Sequence, residues 1–236
     1  MSTVSSLYTS GQYLANTGSW HAEDSPWKAD YIRAIVTRNS IAPARYLEVG
    51  CGAGGILDAL SGMAPFKDTD FHGYDISPKA IELCNARGNP RIRFACQDVF
   101  DDKSTDDSDI LAAIDVFEHV PDYMGFLEKC RRKAKYKIYH IPLEIHASAV
   151  LRGKVDSGRY SVGHLHYFTA ESAIATLMDT GHTIIDRNFT DLALHTASGR
   201  GAGRLAANLG RRMLSAFGKE HAARWLGGVS LLVLAR

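Results

Sequence analysis

The stretch at residues 46–55, YLEVGCGAGG, decides how this chain folds. It begins with a short apolar segment, which is typical of a buried strand, and a glycine-rich turn follows. A helical pattern of apolar residues starts directly afterwards at Ile56 and Leu57. Glycine lets the backbone adopt positive φ and lets a ligand approach closely, and the start of the helix offers unpaired N–H groups. The order of strand, turn and helix therefore predicts a nucleotide-type binding site.

The glycine spacing alone does not identify the ligand. Gly50, Gly52 and Gly55 fit the GxGxxG fingerprint of dinucleotide-binding proteins, and Asp75 follows at about the 20-residue distance that this fingerprint requires. An NAD(P)-dependent oxidoreductase is therefore one hypothesis. Glu48 favours a different ligand, because a carboxylate at the end of the strand attracts a cationic group and repels a pyrophosphate.

The segment from Glu48 to Gly54, EVGCGAG, resembles the E/DxGxGxG motif of class I S-adenosylmethionine-dependent methyltransferases. The resemblance implies that the Glu48 carboxylate helps to hold the methionine ammonium group of S-adenosyl-L-methionine. It also implies that the backbone of Gly50, Cys51, Gly52 and Gly54 passes under the cofactor.

A second motif, DVFEHVPD at residues 115–122, follows the fourth predicted strand. It resembles the EHV-P-D signature of the ubiquinone-biosynthesis-like group of these methyltransferases, and a dehydrogenase has no reason to carry it here. The resemblance implies that Asp115 and Val116 border the methionine half of the cofactor. Glu118 and His119 would lie near the transferred methyl group or orient this loop. The alternative for His119 is a residue at a helix start whose ring is satisfied by the backbone.

Further cofactor-binding positions follow the second and third predicted strands. Asp75 is placed to accept both ribose hydroxyls, and Ile76 to pack on the adenine. After the third strand, the predicted adenine-binding residues are Gln97, Asp98 and Val99. The alternatives are that Asp75 merely starts a turn and that Asp98 lies in a solvated acidic loop.

Strands and helices alternate from residue 45 onward, which predicts an α/β fold with a mostly parallel sheet and helices on both faces. The resemblance specifies a Rossmann-like sheet of seven strands whose last strand is antiparallel. We predict strands at 45–49, 70–75, 91–95, 109–114, 136–141, 182–188 and 229–235. We predict helices at 27–37, 54–63, 78–86, 122–135 and 169–180.

The predicted domain organisation is an N-terminal cap and helix at residues 1–40, followed by a methyltransferase domain at residues 41–236. Ser25 is predicted to cap the first helix, with Pro26 at its first position. In the segment before this helix, Trp20 is a candidate to cover the cofactor, which resembles the N-terminal cover of many of these methyltransferases. The alternative is a helix that packs on the sheet after a poorly ordered start.

The first of two predicted insertions, residues 142–168, is long for a strand–helix connection and is therefore expected to contact the acceptor. Within it, Glu144 and His164 join His119 as candidates for acid–base chemistry or substrate binding. The alternative is that each histidine is a loop residue held by the backbone. Thr169 is predicted to cap the next helix. The pair formed by His164 and His166 is not a metal signature without further ligands, so we predict no metal site.

The second insertion, residues 190–227, includes a basic segment at 200–224 in which Glu220 is the single acid. Four apolar residues lie four apart beside the arginines: Leu205, Leu209, Met213 and Phe217. This pattern favours a helix that covers the sheet with its apolar face and exposes a cationic face. Peripheral contact with a membrane, or with an anionic or lipid-linked substrate, is the alternative.

Composition restricts the remaining choices. The chain has 236 residues, 45% of them apolar, and a net charge of +1, which predicts a globular domain and no nucleic-acid partner. Four scattered cysteines and the lack of an N-terminal signal pattern predict a cytoplasmic protein without disulfides.

Together these features predict an S-adenosylmethionine-dependent methyltransferase that acts on a small-molecule or saccharide acceptor. Three alternatives stay open: an NAD(P)-dependent oxidoreductase, a methyltransferase-like domain that only binds partners, and a methyltransferase acting on a macromolecule through the arginines of residues 200–224. The acceptor atom and the oligomeric state are open at this point.

Overall fold

The computed structural model describes residues 22–195 and 202–236, without the side chains at 22, 160, 161, 192 and 202–205. Trp20 and the first two residues of the basic segment 200–224 lie outside the described residues. Within them, one sheet contains the strands β1 (Arg45–Val49), β2 (Asp70–Asp75), β3 (Ile92–Cys96), β4 (Ser108–Ile114), β5 (Ala134–Pro142), β6 (Ile184–Thr190) and β7 (Ser230–Ala235).

The described α-helices alternate with these strands. They are α1 (Ser25–Arg38), α2 (Gly55–Ser61), α3 (Pro78–Ala86), α4 (Tyr123–Lys133), α5 (Ala147–Leu151), α6 (Ser157–Ser161), α7 (Ala170–Asp179), α8 (Leu192–His195), α9 (Ala202–Ala216) and α10 (Lys219–Trp225). Every strand and helix predicted in the sequence analysis is present, and most ends agree within two residues.

The strand order is β3-β2-β1-β4-β5-β7-β6, with β7 antiparallel to both of its neighbours. The predicted Rossmann-like sheet is therefore confirmed. β1 lies at the point where the strand order reverses, and Glu48 in it is paired with Gly73 of β2 and Ala112 of β4. Ligands of open parallel sheets bind at the carboxyl ends of the strands beside such a reversal.

Two apolar layers hold the helices on the two faces of the sheet. On one face, Ile32 and Ile35 of α1 pack with Leu57 and Leu60 of α2, and all four are at most 1% exposed. On the other face, a second buried cluster joins the sheet to α4, α7 and α10. Burying an aliphatic side chain of this size contributes about 1.5–3 kcal/mol. This packing fixes α1 directly against the sheet.

Two predicted helix starts have different outcomes. The prediction that Ser25 caps α1 is wrong, because a 3₁₀ turn at Ala22–Asp24 leads directly into the helix and Asp24 occupies the cap position. Thr169 caps α7 as predicted. Its hydroxyl accepts the N–H of Ser172, and the Ser172 side chain in return binds the backbone of Thr169.

The prediction that α9 covers the sheet with its apolar residues is also wrong. Leu209, Met213 and Phe217, here called the α9 stripe, are 61%, 63% and 81% exposed. Arg211 instead points inward, and its Nε donates to the Gly227 carbonyl at 2.8 Å. This carbonyl follows the end of α10 and needs a donor, which explains why the arginine faces the protein. Among the described residues, no helix is long and apolar enough to cross a membrane.

Candidate active site

The glycine turn after β1 contacts the loop after β4. Gly50 has a φ of +66°, and a Cβ atom added to it would lie 2.8 Å from Cγ2 of Val116. Gly54, with a φ of +71°, precedes α2, and a Cβ there would lie 2.8 Å from the Phe94 ring. Both positions combine a left-handed backbone with close neighbours, so only glycine fits without strain. The turn predicted from the sequence is therefore present at the expected edge of the sheet.

Asp75 connects the end of β2 to this turn. One carboxylate oxygen accepts the Gly52 N–H at 3.0 Å, and the other accepts the Ser77 N–H at 2.8 Å. Burial raises the pKa of Asp75, while these backbone donors oppose the rise. Each oxygen keeps a second lone pair for a further donor, such as a ribose hydroxyl. Asp75 thus starts a turn, as its structural alternative predicted, and also faces the glycine turn.

Glu48 is only 2% exposed, and its Oε2 atom has no hydrogen-bond partner among the described residues. Burial is the main reason that the pKa of Glu48 rises to about 8. The positive charge of Lys28 opposes this rise and the negative charge of Asp75 adds to it. The carboxylates of Glu48 and Asp75 therefore lie on the same side of the sheet, close enough to repel each other.

Lys28 is a site residue that the sequence analysis missed. Its Nζ atom donates to Oδ2 of Asp115 at 2.8 Å, and both side chains are mostly buried. Burial alone lowers the pKa of Lys28, but the charges of Asp115, Asp24 and Glu48 raise it overall. The sequence contains a signal for this role of Lys28, because it lies beside the buried helix positions Ala29 and Ile32. A charged residue beside the apolar face of a helix needs a partner.

Asp115 is held from two directions in an uncommon backbone conformation. Its φ is +55°, which costs a residue other than glycine on the order of 1 kcal/mol and is typical of functional sites. The carboxylate contacts Lys28 and, at 2.6 Å, Nδ1 of His140, whose Nε2 lies 2.8 Å from the Thr190 hydroxyl. Burial raises the pKa of Asp115, but His140 and Lys28 outweigh it and hold this pKa well below the usual range.

The three predicted acid–base residues converge beside this loop. The ring centroids of His119 and His164 are 4.6 Å apart, and Nδ1 of His164 lies 2.6 Å from Oε2 of Glu144. Because the carboxylate accepts, Nδ1 of His164 carries the hydrogen and Nε2 carries the lone pair. His164 is 8% exposed, so the pair is largely shielded from water.

Backbone hydrogen bonds bring the insertion to the EHV motif. The carbonyl of Glu118 accepts the N–H groups of Leu165 at 2.8 Å and His166 at 3.1 Å. Nε2 of His166 in turn lies 3.0 Å from the carbonyl of Val120. His166 is therefore held by the backbone, as its structural alternative predicted, and this attachment places His164 next to His119.

The side chain of Glu118 is buried at the centre of the convergence. It is 1% exposed, and neither carboxylate oxygen has a hydrogen-bond partner among the described residues. Burial, followed by the charges of Asp115 and Glu144, raises the pKa of Glu118 well above its usual value. Burial and the nearby His164 also lower the pKa of His119 to about 4, so its ring is neutral at pH 7. Nδ1 of His119 donates to the Gly163 carbonyl at 3.1 Å.

The remaining predicted cofactor residues after β2 and β3 are either exposed or buried. Ile76 is 52% exposed, and Gln97 and Asp98 are exposed beyond the end of β3, so all three are accessible to a ligand. The Asp98 carboxylate also accepts the Phe100 N–H at 3.0 Å. Val99 is buried at 1% exposure.

The side chain of Cys51 is buried in the core. Its Sγ atom lies 3.9 Å from that of Cys84 in the core, and its N–H donates to the Tyr74 carbonyl at 3.0 Å. The Cys51 carbonyl accepts the Gly54 N–H at 2.8 Å. These contacts stabilise the turn, and the role of the Cys51 backbone in cofactor binding stays a prediction.

Residues 47–136 match the family model described as a methyltransferase domain, and this range contains the glycine turn, Asp75 and the EHV motif. The chain contains a class I S-adenosylmethionine-dependent methyltransferase domain. The match decides against the oxidoreductase alternative, because one domain model accounts for both the glycine turn and the segment after β4.

Relatives and solved structures agree with a methyltransferase domain. The chain is 26% identical over 116 residues to a ubiquinone biosynthesis O-methyltransferase of Xanthomonas oryzae pv. oryzae. This alignment covers 47% of the chain and 46% of the relative, so the chain spans about half the length of the curated relatives it matches.

Solved structures match over more of the chain. A plantazolicin methyltransferase, solved with S-adenosylhomocysteine and a monoazolic desmethylPZN analogue, has a TM-score of 0.63 at 14% identity, covering 98% of this chain and 92% of that one. The magnesium protoporphyrin IX methyltransferase of Synechocystis has a TM-score of 0.59 at 14% identity, covering 89% and 83%. At these identities the likeness establishes the fold of the methyltransferase domain.

Proposed function

We propose that this protein transfers a methyl group from S-adenosylmethionine to an oxygen atom of a small-molecule or saccharide acceptor. The main support for the proposal is that His119, His164 and Glu144 lie close together beside Asp115. They lie at the same edge of the sheet as the glycine turn. The negative charge of Asp115 acts on both Glu118 and His119, which supports a role for these residues near the proposed cofactor. The curated relative is named an O-methyltransferase, which supports an oxygen acceptor.

The residues around the glycine turn fit the cofactor. The Oε2 atom of buried Glu48, which has no hydrogen-bond partner in the described part of the chain, suits the methionine ammonium group, and Lys28 suits the methionine carboxylate. Asp75 retains acceptor capacity for the ribose hydroxyls, and exposed Ile76 offers an apolar surface to the adenine. When bound, S-adenosylmethionine supplies a methyl group on a sulfonium centre, and the protein mainly positions the acceptor and excludes water.

The proposed role of His164 follows from its tautomer. The acceptor oxygen forms a bond to the methyl carbon while the carbon–sulfur bond breaks, and a hydroxyl acceptor must lose its proton. Nε2 of His164 carries the lone pair that takes this proton, and Glu144 holds the ring and stabilises its charged form. His119, neutral at pH 7, lies beside the same position.

A cavity on the other side of Glu144 supports an anionic acceptor. Its volume is about 300 Å³, which is at the lower end for small-molecule sites. Arg152 and Lys154 line it together with Glu144 and His146. The two cations favour an acceptor that carries a phosphate or carboxylate group.

The α9 stripe supports an acceptor with an apolar or lipid-linked part. Arg211 anchors α9 to the Gly227 carbonyl, next to Gly228 in the cavity wall. A helix with an exposed apolar stripe beside the cavity suits peripheral contact with a lipid surface. We also propose a cytoplasmic location, which the four free cysteines support.

Titration calorimetry with S-adenosylhomocysteine and with NADH tests the cofactor assignment. We expect binding of S-adenosylhomocysteine only. Asp75→Ala and Gly52→Val should each abolish measurable binding, Asp98→Ala should weaken it less, and the exposed control Asp68→Ala should leave it unchanged. Binding of NADH alone, or unchanged affinity in the first two variants, would contradict the proposal.

Release of S-adenosylhomocysteine during turnover tests the acceptor assignment. The acceptor panel contains hydroxylated small molecules and saccharides, each with and without a phosphate group. We expect Glu144→Gln and His164→Ala to lower kcat by about 10²–10⁴-fold without changing cofactor affinity. Cofactor binding without turnover of any acceptor would favour the non-catalytic alternative. A macromolecular acceptor would instead show binding that weakens steeply with salt and depends on the arginines of residues 200–224.

A further inference from the structure

The cavity beside Glu144 has a mostly polar wall. Its volume is about 300 Å³, and the polar residues that line it are Glu144, His146, Arg152, Lys154, Ser157 and Ser230. We infer that this cavity binds the phosphate group of a compact phosphomonoester, and that Arg152 and Lys154 determine this specificity. Binding of a phosphate group stands on the cavity itself, whereas the attachment of that phosphate to the methyl acceptor rests on the proposed function.

Arg152 and Lys154 bring two positive charges to the cavity. Neither forms an ion pair with an acid among the described residues. Of the described residues in the wall only Glu144 is acidic, and its carboxylate lies 2.6 Å from Nδ1 of His164. A phosphomonoester carries a charge of about −1.5 to −2 at pH 7, which matches the two cations.

The guanidinium of Arg152 is fixed by the helical turn that precedes it. Its Nε atom donates to the Ser148 carbonyl at 2.7 Å, and Nη2 lies 3.3 Å from the Ser148 hydroxyl. The remaining N–H groups of the guanidinium can form two parallel hydrogen bonds to a phosphate. Because the side chain is already held in place, it loses little conformational freedom when a ligand binds.

A tight turn at Gly153 returns the chain to the cavity. Gly153 has a φ of +59°, and its N–H donates to the Val150 carbonyl at 3.1 Å. The N–H of Lys154 donates to the Ala149 carbonyl at 2.9 Å. These two bonds end α5 and reverse the chain, in a conformation that favours glycine. Arg152 and Lys154 therefore lie on either side of one turn, and both line the cavity.

The charges at the wall are more positive than negative. Burial, followed by the positive charges of Arg152 and Arg211, lowers the pKa of His146. The His146 ring is therefore neutral at pH 7 and adds no charge of its own. An anion in the cavity thus meets the charges of Arg152, Lys154 and Arg211 against one carboxylate of the described wall, that of Glu144.

The size of the cavity restricts the class of ligand. A volume of about 300 Å³ is at the lower end for small-molecule sites, which favours a single phosphate on a small molecule over a nucleoside diphosphate. Buried Ser230 adds a hydroxyl to the wall. A phosphate offers three acceptor oxygens to these donors, whereas a carboxylate offers two oxygens and a single charge.

Glu144 connects the cavity to the proposed base. It lines the cavity, while its Oε2 atom lies 2.6 Å from Nδ1 of His164. The lone pair that takes the proton is on Nε2, at the other side of this ring. An acceptor anchored by its phosphate must therefore extend past Glu144 to reach Nε2. We expect its methylated hydroxyl to lie several bonds away from the phosphate.

Titration calorimetry of the cofactor-free protein with inorganic phosphate and with a hexose phosphate, at low salt, tests the site. Both should bind saturably. Arg152→Ala and Lys154→Ala should each weaken binding at least about tenfold, because each removes a charge-assisted hydrogen bond. Arg152→Lys should bind with an intermediate affinity, since it keeps the charge and loses the paired hydrogen bonds.

Two exposed cations provide a matched control. Arg132→Ala combined with Lys135→Ala removes two positive charges near the start of β5, whereas Pro142 at the end of this strand lines the cavity. This double variant should bind phosphate as the unmodified protein does. Arg152 and Lys154 are also exposed, so their variants should melt at the same Tm as the unmodified protein.

Kinetics with acceptor pairs that differ by one phosphate group identify the source of the phosphate. If the phosphate belongs to the acceptor, Arg152→Ala should raise KM for the phosphorylated acceptor at least tenfold and leave kcat unchanged. Inorganic phosphate should then compete with this acceptor. If the phosphate belongs to a separate ligand, it should bind with the same dependence on Arg152, and both members of each pair should be turned over alike.

Two outcomes would overturn the inference: no saturable binding of phosphate, or an affinity that is the same in Arg152→Ala, Lys154→Ala and the unmodified protein. If methyl transfer proceeds while no phosphate binds, the phosphate site is wrong and the proposed function stands. If phosphate binds and S-adenosylhomocysteine does not, the proposed function fails and the phosphate site stands.

Discussion

Replacing Glu48 with glutamine should make the free energy of unfolding depend less on pH. Burial raises the pKa of Glu48 to about 8 in the folded protein, whereas an unfolded chain has a value near 4.5. The folded state therefore holds a proton that the unfolded state releases between these two pH values. Stability is lost as pH rises through this window, because deprotonation is favoured only in the unfolded chain.

The size of the effect follows from the two pKa values. A difference from 4.5 to about 8 corresponds to about 5 kcal/mol once the carboxyl is ionised in both states, and about 4 kcal/mol of this is lost by pH 8 and about 3 kcal/mol by pH 7. The full value applies because Glu48 is only 2% exposed, so solvent screens it little. The glutamine amide in the Glu48→Gln variant cannot ionise, so the variant lacks this contribution at every pH.

Urea unfolding at pH 5, 7 and 8 measures the effect. We expect the Glu48→Gln protein to gain stability relative to the unmodified protein as pH rises, by several kcal/mol between pH 5 and pH 8. The control Glu82→Gln changes an exposed carboxyl and should follow the unmodified protein. Equal pH dependence of the unmodified protein and the Glu48→Gln variant would refute the argument from burial.

The raised pKa of Glu48 also predicts how the binding of S-adenosylhomocysteine depends on protons. A methionine ammonium group next to Glu48 would lower its pKa and release the proton, so binding at pH 7 should release protons to the buffer. Calorimetry in two buffers of different ionisation enthalpy measures this release. Glu48→Gln should bind more weakly and release none. Equal heats in both buffers for the unmodified protein would mean that Glu48 does not contact the ligand.

Three further variants test other parts of the site. Lys28→Met should lower the free energy of unfolding by about 2–3 kcal/mol, because Asp115 loses a buried partner, and urea unfolding measures this loss. The same variant should bind S-adenosylhomocysteine at least tenfold more weakly in calorimetry. Unchanged values in both assays would place Lys28 outside the site. Gly158→Ala adds a Cβ that would lie 2.8 Å from Nδ1 of His164, so methyl transfer should fall while cofactor affinity stays the same. Full activity of this variant would refute a role for the pair formed by His164 and Glu144. Replacing the α9 stripe with serines should abolish sedimentation with lipid vesicles, and no vesicle binding by the unmodified protein would remove the lipid proposal.

Much of the fold was predictable because its signals are local. The alternation of apolar strands and helices gave β1, β2 and α3 their correct ends, and the left-handed φ of Gly50 and Gly54 explains why the turn between β1 and α2 is rich in glycine. Thr169 was predictable as a helix cap for the same reason, since its hydrogen bond spans only three residues.

The failures concern properties that no local pattern contains. The spacing of the α9 stripe correctly predicted one apolar face, but only the tertiary structure shows that this face is exposed while Arg211 contacts the Gly227 carbonyl. Lys28 went unnoticed because its partner Asp115 lies 87 residues further along the chain. The outcome for Ser25 depended on the turn that precedes α1, which the sequence does not mark.

The sequence by itself determined that this chain forms a parallel α/β sheet with a glycine turn after β1, and that it carries a methyltransferase domain. It also named His119, Glu144 and His164 separately. Only the tertiary structure decided that these three residues meet and that Glu118 is buried near them without a hydrogen-bond partner among the described residues. The physical reason is that the loops after β4 and β5 emerge at the same edge of the sheet, where backbone hydrogen bonds join them and exclude water from the carboxylate.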